Sequence, residues 1–334
     1  MSNNLKVLLL SRSDVIAAGG TDIREMIPVV EEVFRVHSSK DYCQPLKPYL
    51  RIPGDTEKRR IIAMPAYLGG RFNVWGVKWI ASNPTNPFKH NLERASAVII
   101  LNDVETGFPV AIMEGAAISA TRTAAVAAVS AKYLATAKPS VLGVVGAGVI
   151  GRAVIKGLHI MKNSIQTLRL FDLNPSRAEL LRDELQKELG IDVRVVSTAP
   201  EALKEADILV PATTATTPYI EGEWITSGAL FINISLRDPK FSVVQRANKI
   251  VVDDWVQANR ENTVLHLMYE QGLLKDQDIY AELGEIVAGA KAGRENDHEV
   301  IFFNPMGMAV EDIGVAEAVY RNAEHKKLGT YVDL

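Results

Sequence analysis

The sequence predicts an α/β protein of two domains, in which a doubly wound parallel sheet is joined to a second, α+β domain. The 334 residues are enough to form two hydrophobic cores. Between Arg60 and Ser119, strand-like runs follow one another without helices between them, whereas strands and helices alternate after Ser119. We therefore expect residues 1–125 and 308–334 to form the α+β domain and residues 126–307 the parallel-sheet domain.

The N-terminal region has the pattern of a mainly antiparallel sheet. The run KVLLL is too short to cross a bilayer and predicts a first strand. Asp22 and Glu25 have capping-box spacing, at the start of a segment whose apolar residues recur with helical spacing. The runs RIIAMPAYL, WGVKWIAS, ASAVIILND and FPVAIME then predict strands that are separated by turns.

The region after Ser119 has the pattern of a parallel sheet. An Ala-rich helix precedes strand-like runs that alternate with helical segments, among them VLGVV, TLRLFD, VRVV, DILVPAT, ALFINIS and KIVVDD. We expect this sheet to end near Asp253. The helical pattern from Gly307 to about Glu324 is then expected to pack back on the first domain.

Composition and charge limit the kinds of partner. The formal net charge of −3 and the pI of about 6.1 give no reason to expect nucleic acid or an anionic membrane. The single cysteine, Cys43, has no partner for an intrachain disulfide and fits a reducing compartment, so we expect a cytoplasmic protein. Cys43 itself is expected to be a small buried apolar residue.

The segment GAGVIG predicts a dinucleotide site, because it follows the strand VLGVV directly and opens a helix. Gly146 permits a tight turn, Gly148 lets the backbone approach a pyrophosphate, and Gly151 lets helix and strand pack closely. Val149 and Ile150 lie between these glycines, at the helix N-terminus whose N–H groups attract phosphate. The parallel-sheet domain is therefore predicted to be a Rossmann fold.

Asp172 points to NAD as the cofactor. It ends the second strand, about twenty residues beyond the glycines, where an acidic residue accepts the ribose hydroxyls of NAD and repels the 2′-phosphate of NADP. NADP stays an alternative, since Arg177 is close in sequence.

Polar residues at two predicted strand ends are further candidates, because ligands of open α/β sheets bind beyond the carboxyl ends of strands. Thr213 and Thr214 follow DILVPA, and Ser235 and Asp238 follow ALFINI. The threonines are either cofactor ligands or part of an ordinary polar loop. Asp238 is expected to face the nicotinamide.

Three cations in the first domain stand at unusual places. Arg51 follows KPYL, Lys78 lies inside the apolar run WGVKWI, and Arg122 precedes a run of alanines. Lys78 is either buried for a purpose or faces water from an edge strand. Arg122, at the expected start of a helix, is either a carboxylate clamp or a surface salt bridge.

The order of the segments IIAMP, GVKW, ILND-ETG-P, TRTAA, GAGVIG, AELGE and GMAVED resembles the ornithine cyclodeaminase and mu-crystallin family over nearly the whole chain. The resemblance implies a two-domain homodimer that binds NAD and a small amino acid. It places the family's substrate-side cations on Arg51, Lys78 and Arg122. It also places the family's catalytic aspartate on Asp238, if a gap of one residue is allowed in the match to the family's sequence.

Further strings are similar to family members that supply L-2,3-diaminopropionate for siderophore synthesis, among them QPLKPYLR, NPFKHNLERAS, VVDDWVQANRE and NPMGMAVEDI. They imply NAD-dependent oxidation of a secondary amine, followed by hydrolysis to 2-oxoglutarate and L-2,3-diaminopropionate. Ile62 departs from the cyclodeaminases, which have a glutamate two residues before the Met-Pro pair. This argues against ornithine as the substrate.

Other readings stay open or are set aside. A ketimine reductase, an alanine dehydrogenase, a cyclodeaminase and a non-catalytic crystallin-like protein are the alternative functions. We expect no metal, because Asp253 and Asp254 are neighbours on a strand and point to opposite faces, and no histidines have ligand spacing. A cap or an interdomain contact is expected to explain Glu282 and Glu285, and helix capping is expected to explain Asp312.

Overall fold

The computed structural model describes residues 6–235, 237–260 and 263–333. Its strands are β1 (Lys6–Leu10), β2 (Tyr42–Cys43), β3 (Tyr49–Arg51), β4 (Arg60–Leu68), β5 (Val74–Ser82), β6 (Ala95–Asn102), β7 (Pro109–Glu114), β8 (Val141–Val145), β9 (Thr167–Phe171), β10 (Asp192–Val195), β11 (Ile208–Pro211), β12 (Leu230–Ile232), β13 (Lys249–Val252), β14 (Ala281–Glu282), β15 (Ile301–Asn304) and β16 (Thr330–Asp333).

The helices are α1 (Arg12–Ala17), α2 (Ile23–Ser38), α3 (Asn86–Lys89), α4 (Ala116–Leu134), α5 (Val149–Met161), α6 (Pro175–Leu189), α7 (Ala199–Leu203), α8 (Phe241–Gln245), α9 (Trp255–Ala258), α10 (Val264–Glu270), α11 (Leu283–Val287) and α12 (Ala309–Lys326). The chain divides into a first unit, Met1–Arg122 with Met308–Leu334, and a second unit, Thr123–Gly307.

The first unit is built on a mainly antiparallel sheet of order β16-β1-β7-β6-β5-β4-β2, with β3 also paired to β4. The pair β1–β7 is parallel, and the terminal strand β16 lies antiparallel to β1. Helices α2 and α12 pack together, and α12 covers β4, β5 and β6. Gly314 permits this packing, because a Cβ there would lie 2.5 Å from Cγ2 of Val33.

The second unit is built on a parallel sheet of order β10-β9-β8-β11-β12-β15-β13-β14. Its first five strands have the doubly wound order of a Rossmann fold, which confirms the predicted class. The sequence-based expectation that the sheet ends near Asp253 is wrong, because two later strands belong to it. Strand β15 lies between β12 and β13, and β14 forms the edge.

Two local expectations are wrong. Cys43 is exposed. It lies on the two-residue strand β2, and its neighbour Tyr42 stacks on buried His37 with ring centroids 4.4 Å apart.

Arg122 does not lie at a helix start, since α4 begins six residues earlier at Ala116. The dipole effect fades within the first turn and contributes little to Arg122.

Candidate active site

In the second unit, the glycine loop has the geometry that a dinucleotide requires. Gly146 adopts φ +111°, which favours glycine, and a Cβ on Gly151 would lie 2.0 Å from the Gly146 carbonyl oxygen. Space is open where a Cβ of Gly148 would stand. Gly148 caps α5 without a side-chain hydrogen bond, and the first helical residues are the exposed Val149 and the half-buried Ile150. These residues fit a pyrophosphate at the N-terminus of α5.

Asp172 follows β9 and supports the same loop. Its Oδ2 accepts a hydrogen bond from the Ala147 backbone N–H at 2.8 Å, and its Oδ1 accepts one from Asn174 N–H at 2.8 Å. The carboxylate is therefore held beside the glycine turn, where a ribose hydroxyl can still use its remaining lone pairs. Arg177 lies nearby in the first turn of α6, and its backbone N–H bonds to the Asn174 side chain.

Asp238 is completely buried, and its two carboxylate oxygens differ. Oδ1 accepts hydrogen bonds from Thr213 Oγ1 at 2.5 Å and from the Tyr219 hydroxyl at 2.8 Å. Oδ2 is buried and has no hydrogen-bond partner among the described residues. Burial and the charge of Asp238 raise the pKa of Tyr219 well above its ordinary value, so Tyr219 stays a hydrogen-bond donor.

Further polar atoms lie without partners near this carboxyl edge of the parallel sheet. Within the described ranges, Ser235 Oγ, Asn233 Oδ1 and Asn304 Nδ2 are buried and make no hydrogen bond, although the two amides also bond to each other at 2.7 Å. Such atoms are costly to bury unless a ligand or water completes them. They indicate a ligand position at the ends of β12 and β15. Thr214, by contrast, is exposed.

In the first unit, Lys78 and Arg122 meet on one buried carboxylate. Lys78 Nζ lies 2.5 Å from Asp312 Oδ2, and Arg122 Nε lies 3.0 Å from Asp312 Oδ1. Arg122 also reaches Glu311 Oε2 at 2.9 Å. Lys78 is only 1% exposed and Arg122 only 12%, so neither the edge-strand reading nor the surface-bridge reading holds.

The environment of this cluster shifts the pKa values of both Lys78 and Asp312. Burial lowers the pKa of Lys78 to about 8, in spite of Asp312 and with added repulsion from Arg122 and buried Lys47. Burial alone would raise the pKa of Asp312, but Arg122 and Lys78 lower it below its ordinary value. The carboxylate therefore stays ionised between its cations, while the Lys78 ammonium is poised to lose a proton near neutral pH.

Sequence reasoning missed the roles of four members of these groups, which are Asp312, Glu311, Tyr219 and Lys47. Asp312 is not a cap, since its carboxylate bonds Lys78 and Arg122 from the first turn of α12. The signal was a pair of acidic residues inside the apolar run GMAVEDIGVA. Tyr219 and Lys47 gave no comparable signal, because nothing in their local sequence shows that they lie near Asp238 and Lys78.

Other predicted residues have contacts of their own. Arg51 stands on β3 opposite Arg60 of β4, with its guanidinium carbon 4.6 Å from the centre of the Tyr49 ring. Glu282 and Glu285 form the expected capping box of α11. Asp253 accepts the Gly307 N–H at 2.6 Å, and Asp254 caps α9.

Comparison with known proteins gives a consistent result. The sequence model of the ornithine cyclodeaminase/mu-crystallin family matches residues 7–327. N-((2S)-2-amino-2-carboxyethyl)-L-glutamate dehydrogenase of Staphylococcus aureus is 39% identical, over 99% of both chains.

Two solved structures have the same fold. Delta(1)-pyrroline-2-carboxylate reductase of Thermococcus litoralis, in complex with NADH and L-proline, superposes with a TM-score of 0.92 at 34% identity, over 98% of this chain and 100% of that one. An archaeal alanine dehydrogenase dimer with bound NAD gives a TM-score of 0.89 at 32% identity, over 99% of this chain and 100% of that one. The chain therefore belongs to the ornithine cyclodeaminase/mu-crystallin family.

Proposed function

We propose that this chain oxidises N-((2S)-2-amino-2-carboxyethyl)-L-glutamate with NAD⁺ and hydrolyses the product to 2-oxoglutarate and L-2,3-diaminopropionate, in siderophore or related biosynthesis. The observation that carries the substrate assignment is the 39% identity to the S. aureus enzyme of that name over 99% of both chains. Ile62 agrees with it, because an apolar side chain on β4 does not replace the cyclodeaminase glutamate.

The coarser class does not depend on that substrate. The chain is an NAD-dependent oxidoreductase that acts on CH–NH groups, since its relatives and structural neighbours are amino acid dehydrogenases and imino acid reductases. Neighbours solved with NADH, NAD and NAD⁺ confirm the predicted cofactor.

The second unit supplies the cofactor and proton-transfer groups. Gly146, Gly148 and Gly151 would hold the pyrophosphate, and Asp172 the ribose. NAD⁺ held there would supply the hydride acceptor for oxidation of the substrate at the glutamyl Cα to an iminium. Thr213 and Tyr219 fix Asp238 through Oδ1, so Oδ2 can accept a proton from the water that attacks the iminium carbon. Asp238 then returns that proton to the nitrogen, and it takes up the hydroxyl proton as the carbon–nitrogen bond breaks and the ketone forms.

The first unit supplies basic side chains that act on the substrate. Arg122 binds a substrate carboxylate from the position that Asp312 and Glu311 fix, and Asp312 also holds Lys78. With a pKa of about 8, Lys78 also takes the proton that the secondary amine must lose before oxidation.

The first sheet also offers a surface for a second copy of this chain. The side chains of β5 alternate, so Lys78 faces α12 while Trp75 and Trp79 point to the opposite face. On that face Trp75 is 40%, Trp79 47% and Val98 43% exposed. Exposed apolar side chains that cluster on one face are typical of an interface, and the archaeal alanine dehydrogenase is a dimer. We propose a homodimer through this face.

Substrate profiling tests the assignment. Purified protein is given NAD⁺ and, in separate reactions, the N-substituted glutamate, L-alanine, L-proline or L-ornithine, and NADH formation is followed. We expect the N-substituted glutamate to give the highest kcat/KM. A higher kcat/KM with alanine or proline would move the chain to one of the alternative functions.

A further inference from the structure

The face of the first sheet that carries Lys78 holds a second group of cations. In the register of the sheet, Arg60 of β4 lies opposite Arg51 of β3 and opposite Ser82 of β5. Arg94 directly precedes β6 and donates from its terminal NH1 to Ser82 Oγ at 2.8 Å. The guanidinium carbons of Arg51 and Arg60 lie 4.6 Å and 5.7 Å from the centre of the same Tyr49 ring.

Arg60 and Arg94 lack carboxylate partners in the described part of the chain. Arg60 Nε is buried and makes no hydrogen bond there, and neither guanidinium forms an ion pair. Burial and the like charge of Arg60 lower the pKa of Arg94. Two like charges held together at partial burial repel each other, so an anion placed between them would relieve this cost.

Nearby carboxylates are occupied by other cations. Asp55 bonds Arg59, Glu57 pairs with Lys89 and Arg59, and Glu93 pairs with Arg12 at 2.9 Å. The anion that Arg60 and Arg94 can accept must therefore come from outside these acidic side chains.

The group of Arg60 and Arg94 lies on the same face of the sheet as Lys78, farther along β5. Residues 78, 80 and 82 of β5 share one face, and their partners on β4 are residues 64, 62 and 60. Ser82 therefore lies about 13 Å from Lys78 along the strand, at about 3.3 Å per residue. Ile62 and Ile80 lie between the two cationic groups. Along this face a charged cluster is followed by apolar side chains and then by a second cationic group. A substrate with carboxylates at both ends of a methylene chain has the same order of charged and apolar parts.

We propose that Arg60 and Arg94, with Ser82 between them, form a second carboxylate subsite that binds the side-chain carboxylate of the glutamyl part of the substrate. The proposal rests on the proposed function, because it assigns one carboxylate of that substrate. It explains how the chain selects a substrate with several carboxylates over alanine or proline, whose side chains end in no anion.

Kinetics with a paired analogue test the subsite. The analogue has a carboxamide in place of the glutamyl side-chain carboxylate. We expect Arg94→Gln and Arg60→Gln to lower kcat/KM for the native substrate by about 10- to 100-fold, because charge-assisted hydrogen bonds are lost, and to change it little for the analogue. Arg59→Gln is the matched control. It removes the same charge one residue away, from a side chain that is 44% exposed and paired with Asp55. We expect kcat/KM for both substrates to be unchanged in this control.

Equal losses for both substrates in Arg60→Gln and Arg94→Gln, or no loss for either, would overturn the subsite. Discrimination seen only with an analogue amidated on the aminocarboxyethyl arm would also overturn it.

Direct binding separates this proposal from the proposed function. If the wild-type protein does not oxidise the N-substituted glutamate, the proposed function fails. Calorimetry with glutarate and butyrate then tests the subsite by itself. Glutarate should bind the NAD⁺-loaded wild type at least about tenfold more tightly than butyrate, since an ion pair is added, and this preference should vanish in Arg94→Gln and Arg60→Gln but not in Arg59→Gln. No preference in the wild type would overturn the subsite.

Discussion

At Asp238 one carboxylate oxygen is fixed and the other is open. An asparagine can keep the fixed contacts, since its Oδ1 still accepts from Thr213 and Tyr219. Its amide nitrogen would replace Oδ2 but cannot take a proton from water. We expect Asp238→Asn to fold, to bind NAD⁺ and to lose turnover by about 10²- to 10⁴-fold, which steady-state kinetics measure.

The alternative is a purely structural role, in which Asp238 only shapes the turn before Pro239. Asparagine would serve nearly as well in that role. Near-normal kcat in a folded Asp238→Asn protein would support that alternative. Asp183→Asn, which removes an exposed carboxylate from α6 in the same unit, is the control and should keep full activity.

Lys78 gives the reaction a pH dependence. Its pKa of about 8 means that the ammonium predominates below this pH and the free amine above it. Because the free amine accepts the substrate proton, kcat/KM for oxidation should rise as the pH increases through about 8. Lys78→Arg stays protonated throughout and should be slow at every pH. An arginine variant with the wild-type rate and profile would contradict this role.

Single residues were predictable where chemistry is local in sequence. The glycines of GAGVIG and Asp172 follow from one strand–turn–helix pattern. Lys78 and Arg122 were recognised as unusual, but Asp312, the residue that joins them, is 190 positions away from Arg122. A bond between such distant residues leaves no periodicity to detect, so its role appears only in the folded chain.

At the scale of the element, α12 holds the charged cluster of the first unit. Its first turn places Glu311 and Asp312, both buried, against Arg122 and Lys78. Asp312→Asn would leave two buried cations with only Glu311 as counterion. We expect a loss of about 3–5 kcal/mol in the free energy of unfolding, measured by urea denaturation, because removing one partner leaves an uncompensated buried charge.

Glu324→Gln is the control for that measurement, since Glu324 is exposed on the same helix. Its effect should stay within about 0.5 kcal/mol. Equal effects of the two substitutions would mean that the Asp312 carboxylate does not stabilise the fold.

Long periodic elements were predictable, and short buried ones were not. The capped helix α2 and the strands β4 to β7 follow from apolar spacing and turn residues. Strand β15 is a run of four buried residues, Ile301–Asn304, which has neither alternation nor helical period. Its place between β12 and β13 depends on tertiary packing, so the sequence pattern ended the sheet too early.

For the whole molecule, the exposed Trp75 and Trp79 of the first sheet predict assembly. Trp79→Glu places a charge in the proposed interface, and its burial against an apolar partner would be costly. We expect this variant to elute and sediment as a monomer while the wild type is a dimer, as light scattering after gel filtration measures. Leu180→Glu, at a side chain 74% exposed in the second unit, should remain dimeric. A dimeric Trp79→Glu protein would place the interface elsewhere.

The proposed reaction fixes the stoichiometry of its products, which can be measured directly. Protein, NAD⁺ and N-((2S)-2-amino-2-carboxyethyl)-L-glutamate are incubated together, and NADH, 2-oxoglutarate and L-2,3-diaminopropionate are quantified in the same samples. Because one water molecule and one NAD⁺ are consumed for each amine oxidised, the three products should appear in equal amounts. NADH without 2-oxoglutarate, or no NADH with this substrate, would contradict the account.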